Sequence, residues 1–397
     1  MKKKEVFAWG MYDLANTAFS ALFVTFFFPL YIRYFLGGNE FQIGLTFGLS
    51  MLLVGILVPV IGAWSDRIGK RMPFIIFFTI LCCLATVLVS NAGLLVALIL
   101  GFVANFAYHA ALTTYNALLP LLGKPREYGK ISGIGVAMGY VGTLLSIGMA
   151  AVILSRLGWE SLIGIKAMFP ATAIFFFVFS IFLFFGVKEV GRRVSVTWGR
   201  TVSLSFSSVW KTVKTLAKHK GMISYLLMLF MYVNAVTAVI IFLYLYGRSV
   251  IGLSIQWFMV VYALFSLSAV IGSYAFGRIV DRIGPKKSLS IAGILWLAVI
   301  VVLLFVQNLP MFIFAGLLGG VALGTVWTAS RPLLIKLSPK KEIGKFFGFS
   351  ELANKFSGVL GPIVFGALVR FYSYPVALIA LGIFFLAGLL ILQKVPA

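Results

Sequence analysis

Apolar positions along this chain gather into long stretches, separated by short polar segments that are mostly basic. Twelve stretches reach spanning length, at about 7–36, 42–63, 73–91, 93–121, 130–154, 167–187, 221–247, 254–277, 288–307, 309–335, 346–371 and 373–393. Each is near the ~20 residues a helix needs to cross hydrocarbon. The fourth and fifth stretches nearly touch. Period-two alternation is absent and the runs are too long for barrel strands, so helices are the expected spanning structure. The first stretch contains Asp13 and lacks a small-residue cleavage site, so it reads as a retained span and not as a removable signal. The pattern predicts an all-α membrane protein.

Composition excludes the alternative of several soluble domains. Of 397 residues, 61% are hydrophobic and 11% charged, with a mean hydropathy of +1.08; a soluble chain carries roughly 25% charged residues. Cys82 and Cys83 are neighbours in an apolar run, which excludes a disulfide framework. The net charge of +23 could suggest a nucleic-acid partner, but its placement reports topology. An even number of spans puts both termini on one side. That side then holds 27 of the basic residues against five on the other (Arg33, Arg156, Lys166, Arg248 and Arg370), with Lys355 inside a span. The positive-inside rule places both termini in the cytoplasm and leaves no need for nucleic acid.

The chain repeats itself at an offset of 215 residues. Gly62-x-x-x-Asp66-Arg67-Ile68-Gly69 recurs as Gly277-x-x-x-Asp281-Arg282-Ile283-Gly284, and Glu127-x-Gly129-Lys130-x-x-Gly133 recurs as Glu342-x-Gly344-Lys345-x-x-Gly348. Two separate motifs at one offset predict two six-helix halves, 1–187 and 221–397, joined by a cytoplasmic linker at 188–220. Parallel repeats of six helices with a site at their interface are the architecture of major-facilitator transporters. In the linker, Phe206, Val209, Trp210, Val213 and Leu216 share a helical face opposite Lys211, Lys214 and Lys218. A basic amphipathic helix over 203–220 would lie among headgroups and attract anionic lipid; a plain tether between halves accounts for it equally.

Gly62-Ala63-Trp64-Ser65-Asp66-Arg67-Ile68-Gly69-Lys70-Arg71 resembles the cytoplasmic signature loop between helices two and three of the major facilitator superfamily. The second copy departs from the pattern by inserting Pro285 before Lys286 and Lys287. The resemblance implies that Gly62, Asp66, Arg67, Gly69, Arg71, Gly277, Asp281, Arg282 and Gly284 form gating hardware. Three further stretches narrow the likeness. Tyr12-Asp13-Leu14-Ala15-Asn16-Thr17-Ala18-Phe19 with Phe27-Phe28-Pro29-Leu30-Tyr31 resembles the first helix of the vacuolar amino-acid effluxer family linked to autophagy, and of its prokaryotic relatives. Tyr115-Asn116-Ala117-Leu118-Leu119-Pro120, leading into Ser132-Gly133-Ile134-Gly135 and Gly139-Tyr140-Val141-Gly142, is similar to that family's helix 4–5 junction. Phe346-Phe347-Gly348 with Lys355 and Gly361-Pro362-Ile363-Val364-Phe365-Gly366 is similar to its helix eleven. The likeness spans most of the chain and implies amino-acid export by a secondary transporter. The compact loops suit a prokaryotic plasma membrane better than a vacuole.

Charged groups inside a bilayer are costly and mark function. Of ten carboxylates, Asp13 and Glu351 are the two read as lying within spans away from the loop motifs. Both are expected about six residues from a cytoplasmic helix end, roughly 9 Å deep. Asn16, at i+3, extends the polar face of Asp13. Glu351 and Lys355 have the spacing of an intrahelical ion pair, beside Asn354, and Lys355 could instead meet Asp13 or an anionic substrate group. Asn105, His109, Thr113 and Asn116 form one polar stripe on the fourth helix, which should face protein or water. The repeat maps Asn116 onto Arg331, an inner-gate or snorkelling cation. Gly135, Gly139, Gly142 and Ser146 favour packing between the halves. The seventh helix contributes Tyr232, Asn234 and Thr237.

The expected function is a secondary transporter of a small polar solute, working as a monomer by alternating access. Rival readings within transport are a sugar–cation symporter and a lysophospholipid or drug exporter. A non-transporting receptor belongs to another class. An enzyme is disfavoured because no nucleophile–base pair or metal cluster is visible, and without a Gly-x-x-x-x-Gly-Lys-Ser/Thr loop ATP is not the energy source. No cofactor and no metal are expected.

Overall fold

The computed structural model describes residues 2–68, 70–123, 128–187, 189, 221–338 and 343–396. They form twelve long helices. In the first half these are α1 (3–35), α2 (Glu40–Ile68), α3 (Met72–Val89), α4 (Leu94–Asn116), α5 (Tyr128–Leu157) and α6 (Leu162–Gly186). In the second they are α7 (Met222–Ile251), α8 (Ile255–Ile283), α9 (Pro285–Leu304), α10 (Leu309–Leu337), α11 (Ile343–Phe371) and α12 (Tyr374–Gln393). No strand occurs among the described residues. Eleven of the helices are long and apolar enough to cross a membrane, and α11 contributes an apolar portion at Phe356–Phe371. The fold is that of an all-helical, multi-pass integral membrane protein.

Local chemistry sets the helix ends. The α7 helix stops at Gly252, whose φ of +66° suits glycine. There the Leu253 N–H bonds Gly247 O at 3.2 Å and the Gly252 N–H bonds Arg248 O at 3.1 Å, a Schellman closure. Asn308 caps α10 by accepting from the Met311 N–H at 3.0 Å. The close approach of the fourth and fifth stretches resolves into a short helical turn, Leu119–Leu122, between α4 and α5. Most departures from the predicted spans are extensions by polar residues, which finish helical turns outside hydrocarbon.

The α1 helix is not uniform. Lys3–Phe19 is α-helical, but Ser20–Phe27 and Tyr31–Phe35 are π-helical, on either side of Phe28–Leu30. Pro29 has no N–H to give, so the ladder beneath it cannot run in the ordinary α register. The widened turns bury a run of aromatic rings. Phe19 stacks on Phe23 at 4.9 Å, and Phe23 meets Phe28 at 5.0 Å. Phe28 fills the space over Gly101 of α4, where a side chain of any size would collide with its ring.

The described residues fall into two compact units, one within Met1–Gly38 and Leu49–Val209, the other within Asn39–Gly48 and Trp210–Ala397. Their internal packing repeats. In the first, α1 packs on α5 and α6, and α3 on α4 and α6; in the second, α7 packs on α11 and α12, and α9 on α10 and α12. Even single bonds recur with their ends exchanged. The Tyr115 hydroxyl of α4 donates to Trp9 O of α1 at 2.9 Å, and the Tyr225 hydroxyl of α7 donates to Ser330 O of α10 at 3.0 Å. The first ten residues around the start of α2 belong to the second unit, so this one helix contributes to both.

Candidate functional site

Asp13 lies ten residues beyond the start of α1, because that helix begins at Lys3. At 1.5 Å per residue this is about 15 Å along the axis from the helix start, the added first turn being the polar Lys3-Lys4-Glu5 segment. The carboxylate is partly exposed, and its Oδ1 accepts from Asn16 Nδ2 at 3.2 Å. Thr17 Oγ1 reaches Asn16 Oδ1 at 3.5 Å, making a short polar chain along the helix. Behind it stands an aromatic floor. Trp9 and Tyr115 stack at 4.7 Å, Tyr12 and Tyr115 at 4.8 Å, and all three are buried. The Trp9 indole donates to Tyr115 O at 3.4 Å, and the Tyr12 hydroxyl pairs with Thr79 Oγ1 at 2.8 Å. The rings hold α1 against α3 and α4, and the Asp13 carboxylate lies against Gly135 of α5.

The small residues of α5 have a different partner from the expected one. Cβ atoms on Gly135, Gly139 and Gly142 would run into Asp13 and Trp9, into Thr17, and into the Leu14 carbonyl, respectively. These glycines let α5 close on α1 inside the first unit, where the sequence pattern suggested packing between halves. Ser146 is buried and back-bonds Thr143 O at 2.9 Å.

On α4 the predicted polar stripe divides. Asn105 is buried and donates to Ser50 Oγ of α2 at 2.6 Å, tying two helices together. His109 and Thr113 are partly exposed, with Thr113 Oγ1 bonded to His109 O at 2.9 Å. Asn116 is exposed at the helix end. The open face therefore carries His109, Thr113 and Asn116, and Asn105 is committed to packing.

In the second unit Asn234 is fully buried, with both of its side-chain polar atoms bonded. Its Nδ2 donates to Phe230 O and its Oδ1 accepts from the Gly361 N–H, both at 2.8 Å. Gly361 precedes Pro362, and any side chain there would strike the Asn234 backbone. Tyr232 is likewise buried, bonded to Leu289 O at 3.4 Å. Arg331 is exposed on α10. Asn354 of α11 is partly exposed, yet its Oδ1 is buried and meets no donor among the described residues. A substrate N–H could satisfy it. The Glu351 and Lys355 side chains lie outside the described residues, as do those of Gly62, Asp66, Arg67 and Asp281, with Gly69 and the linker segment 203–220.

Sequence reasoning missed a third acid. Glu40 was placed just before the second span, but it opens α2 and is only 4% exposed. Tyr374 of α12 donates to its Oε1 at 3.1 Å. Asn39 and Gln42 could have signalled the earlier start: the Asn39 N–H bonds Gln42 Oε1 at 3.1 Å and the Gln42 N–H bonds Asn39 Oδ1 at 3.0 Å, a capping box.

A basic residue of each signature loop, Arg71 and Lys286, is anchored by donating to backbone carbonyls. Around α3, the Glu189 carboxylate accepts from the Arg71 and Met72 N–H groups at 2.7–3.0 Å, and Arg71 Nη1 donates to Ala117 O at 2.6 Å. This ties the start of α3 to the end of α4 and to the segment after α6. In the second unit Lys286, which stands at the repeat position of Arg71, donates to Gln393 O at 3.1 Å and also to Val395 O. Pro285 therefore replaces Lys70 at constant register and is not an extra residue. Gly284 takes a φ of +87° before it.

Comparison with known proteins adds an independent line. The sequence matches the Major Facilitator Superfamily over residues 14–272 and 254–397. It is 24% identical over 412 residues to the MFS-type transporter YxiO of Bacillus subtilis (strain 168), covering 99% of this chain and 95% of that protein. Multidrug resistance protein MdtG of Salmonella arizonae is 25% identical over 392 residues, covering 94% and 90%. Among solved structures, a bacterial homolog of the human lysosomal transporter Spinster, in an inward-facing and unoccupied conformation, superposes with a TM-score of 0.70. It has 16% identity and covers 99% of this chain and 94% of that one.

Proposed function

This chain belongs to the Major Facilitator Superfamily, and from that premise we propose that it carries amino acids or closely related small polar solutes across a prokaryotic plasma membrane. It works by alternating access, as a secondary transporter and not as an enzyme. The observation that carries the reading is Asp13, a partly exposed carboxylate deep in α1. It is braced by Asn16 and backed by buried rings that fix its position. A carboxylate held in a low-dielectric site can take a proton or a substrate ammonium. Within the second unit, Asn354 on α11 offers an acceptor that a polar solute could use. The Glu351–Lys355 spacing on the same helix suits the capture of a substrate carboxylate. An ammonium and a carboxylate are the two groups common to amino acids. The resemblance to the amino-acid effluxer family supports the same class.

The orientation follows the basic residues, with both termini and the 188–220 linker cytoplasmic. The functional halves are 1–187 and 221–397, the basic residues of 203–220 would attract anionic lipid, and the protein acts as a monomer.

Drug export is the second reading, favoured by the likeness to MdtG over 94% of this chain. Counterflow in proteoliposomes separates the two. Vesicles preloaded with mixed amino acids should accumulate labelled amino acid, with saturation. Accumulation of lipophilic dyes with no amino-acid counterflow would favour the second reading and overturn the first.

A further inference from the structure

Both carboxylate oxygens of Asp13 have neighbours inside the first unit. Oδ1 accepts from Asn16 Nδ2 at 3.2 Å. Oδ2 lies against the bare backbone of α5, where a Cβ added to Gly135 would collide with it and with the Trp9 ring. The carboxylate therefore occupies space that any other residue at 135 would fill. Along α1 from Ala8 to Ile32, the residues that are not buried are Asp13, Thr17 and Ser20, and all three are polar. Spacings of four and three put them on one face of the helix. Thr17 is seated in the same way, since a Cβ on Gly139 of α5 would run into its Oγ1.

This seat discriminates between cations by their chemistry. A guanidinium pairs best through a fork on two carboxylate oxygens, and here one oxygen is held by the Asn16 amide and the other is covered by Gly135. A quaternary ammonium has no N–H to donate, and aromatic ring faces are what ordinarily recognise it. The rings of this cluster are closed to it. Trp9 and Tyr12 both stack on Tyr115, and the three are 3%, 0% and 0% exposed. A primary ammonium needs neither a fork nor a ring face. It is a compact charge with three rotatable donors, and a single N–H suffices to reach a partly covered carboxylate. The Thr17 hydroxyl, one turn along the same face, keeps a lone pair for a second N–H.

We propose that the Asp13 seat selects a primary ammonium over N-methylated and guanidinium cations, and that Gly135 and Asn16 are the positioning residues that impose the choice. The assignment rests on the transport reading above and names the solute group that Asp13 receives.

The test is counterflow by the full chain in proteoliposomes preloaded with alanine. Uptake of labelled alanine is competed by alanine, by N,N,N-trimethylalanine and by the α-guanidino analogue of alanine. In the parent, both analogues should compete far more weakly than alanine. Gly135→Ala pushes the carboxylate off α5. Asn16→Ala releases its other oxygen without adding an atom, which keeps the test decisive where the first variant does not insert. Each should narrow the preference for alanine about tenfold, the change expected when a charged group loses one fixed contact. Gly10→Ala is the control. It lies on the same α1–α5 contact, but its added Cβ meets the flexible Met138 side chain and not Asp13, so the preference should match the parent's.

Equal competition by all three solutes in the parent overturns the proposal and leaves amino-acid transport standing. So does a preference unchanged by Gly135→Ala or by Asn16→Ala in a variant that inserts. A preference relaxed equally by Gly10→Ala overturns it too, because helix spacing alone would then set the selectivity. If the vesicles carry lipophilic amines and no amino acid, the amino-acid reading falls, and the seat is judged by uptake of a primary against a quaternary lipophilic amine. Equal uptake of those two overturns it.

Discussion

Asp13 and Asn16 stand one turn apart, and the Asn16 amide donates to the Asp13 carboxylate. Asp13→Asn preserves shape and removes the charge change. It should abolish accumulation driven by a proton gradient and spare part of the substrate exchange, read as pH-jump uptake against counterflow in one vesicle preparation. Equal uptake by parent and variant would make Asp13 a structural polar group. The buried amides behave differently. Asn105→Ala removes one interhelical bond and should cost about 1 kcal/mol, seen as a small fall in melting temperature in detergent. Asn234→Ala should cost more, because it also strands the Gly361 N–H.

These residues show what composition can reveal. A lone acid in an apolar run is visible because nothing beside it explains it. Asn105 and Asn234 looked alike in the chain, but their roles depend on Ser50 and Gly361, which lie 55 and 127 residues away. Glu40 escaped because hydropathy marks where a span enters hydrocarbon, and its helix begins two residues earlier, at a cap.

At the scale of elements, helix number and type were legible from apolar run length. The π-helical character of α1 was not, although Pro29 was its signal; a proline more often kinks an α-helix than widens it. The anchors of the signature loops were half legible. The basic residues were plain, but Glu189 sits 118 residues from the N–H of Arg71 that it caps. Glu189→Ala leaves those donors without their carboxylate and should destabilise the start of α3 by about 1 kcal/mol. Glu189→Gln should recover part of that loss, since an amide oxygen still accepts. Hydrogen exchange confined to 71–75 would report it, and unchanged exchange there would show that water replaces the cap without cost.

For the whole molecule, the 215-residue offset suggested two related halves, and helix pairings recur within the two described units. The offset could not announce that Asn39–Gly48 belongs with the second unit, because a repeat describes likeness and not docking. Two predictions belong at this scale. Asp66→Asn should slow turnover in vesicles while insertion and yield stay intact; normal turnover would remove the loop from gating. A reporter between Gly158 and Ile165 should be reachable from outside intact cells, and one in 188–220 should not. Outside labelling of that linker would reverse the orientation and with it every statement about inner and outer sides.

The start of α2 also has a history during synthesis. Glu40 leaves the ribosome 334 residues before Tyr374, which at 5–20 residues per second is a wait of roughly 20 to 70 s. Through that interval its partner on α12 does not exist. A newborn first half must therefore keep an acid-bearing helix start hydrated at the membrane edge, or shielded by insertion machinery, until the last two helices arrive. Nascent chains arrested before α11 should be the ones that quality-control proteases find, because the bond from Tyr374 to Glu40 closes a fold begun almost a full chain earlier.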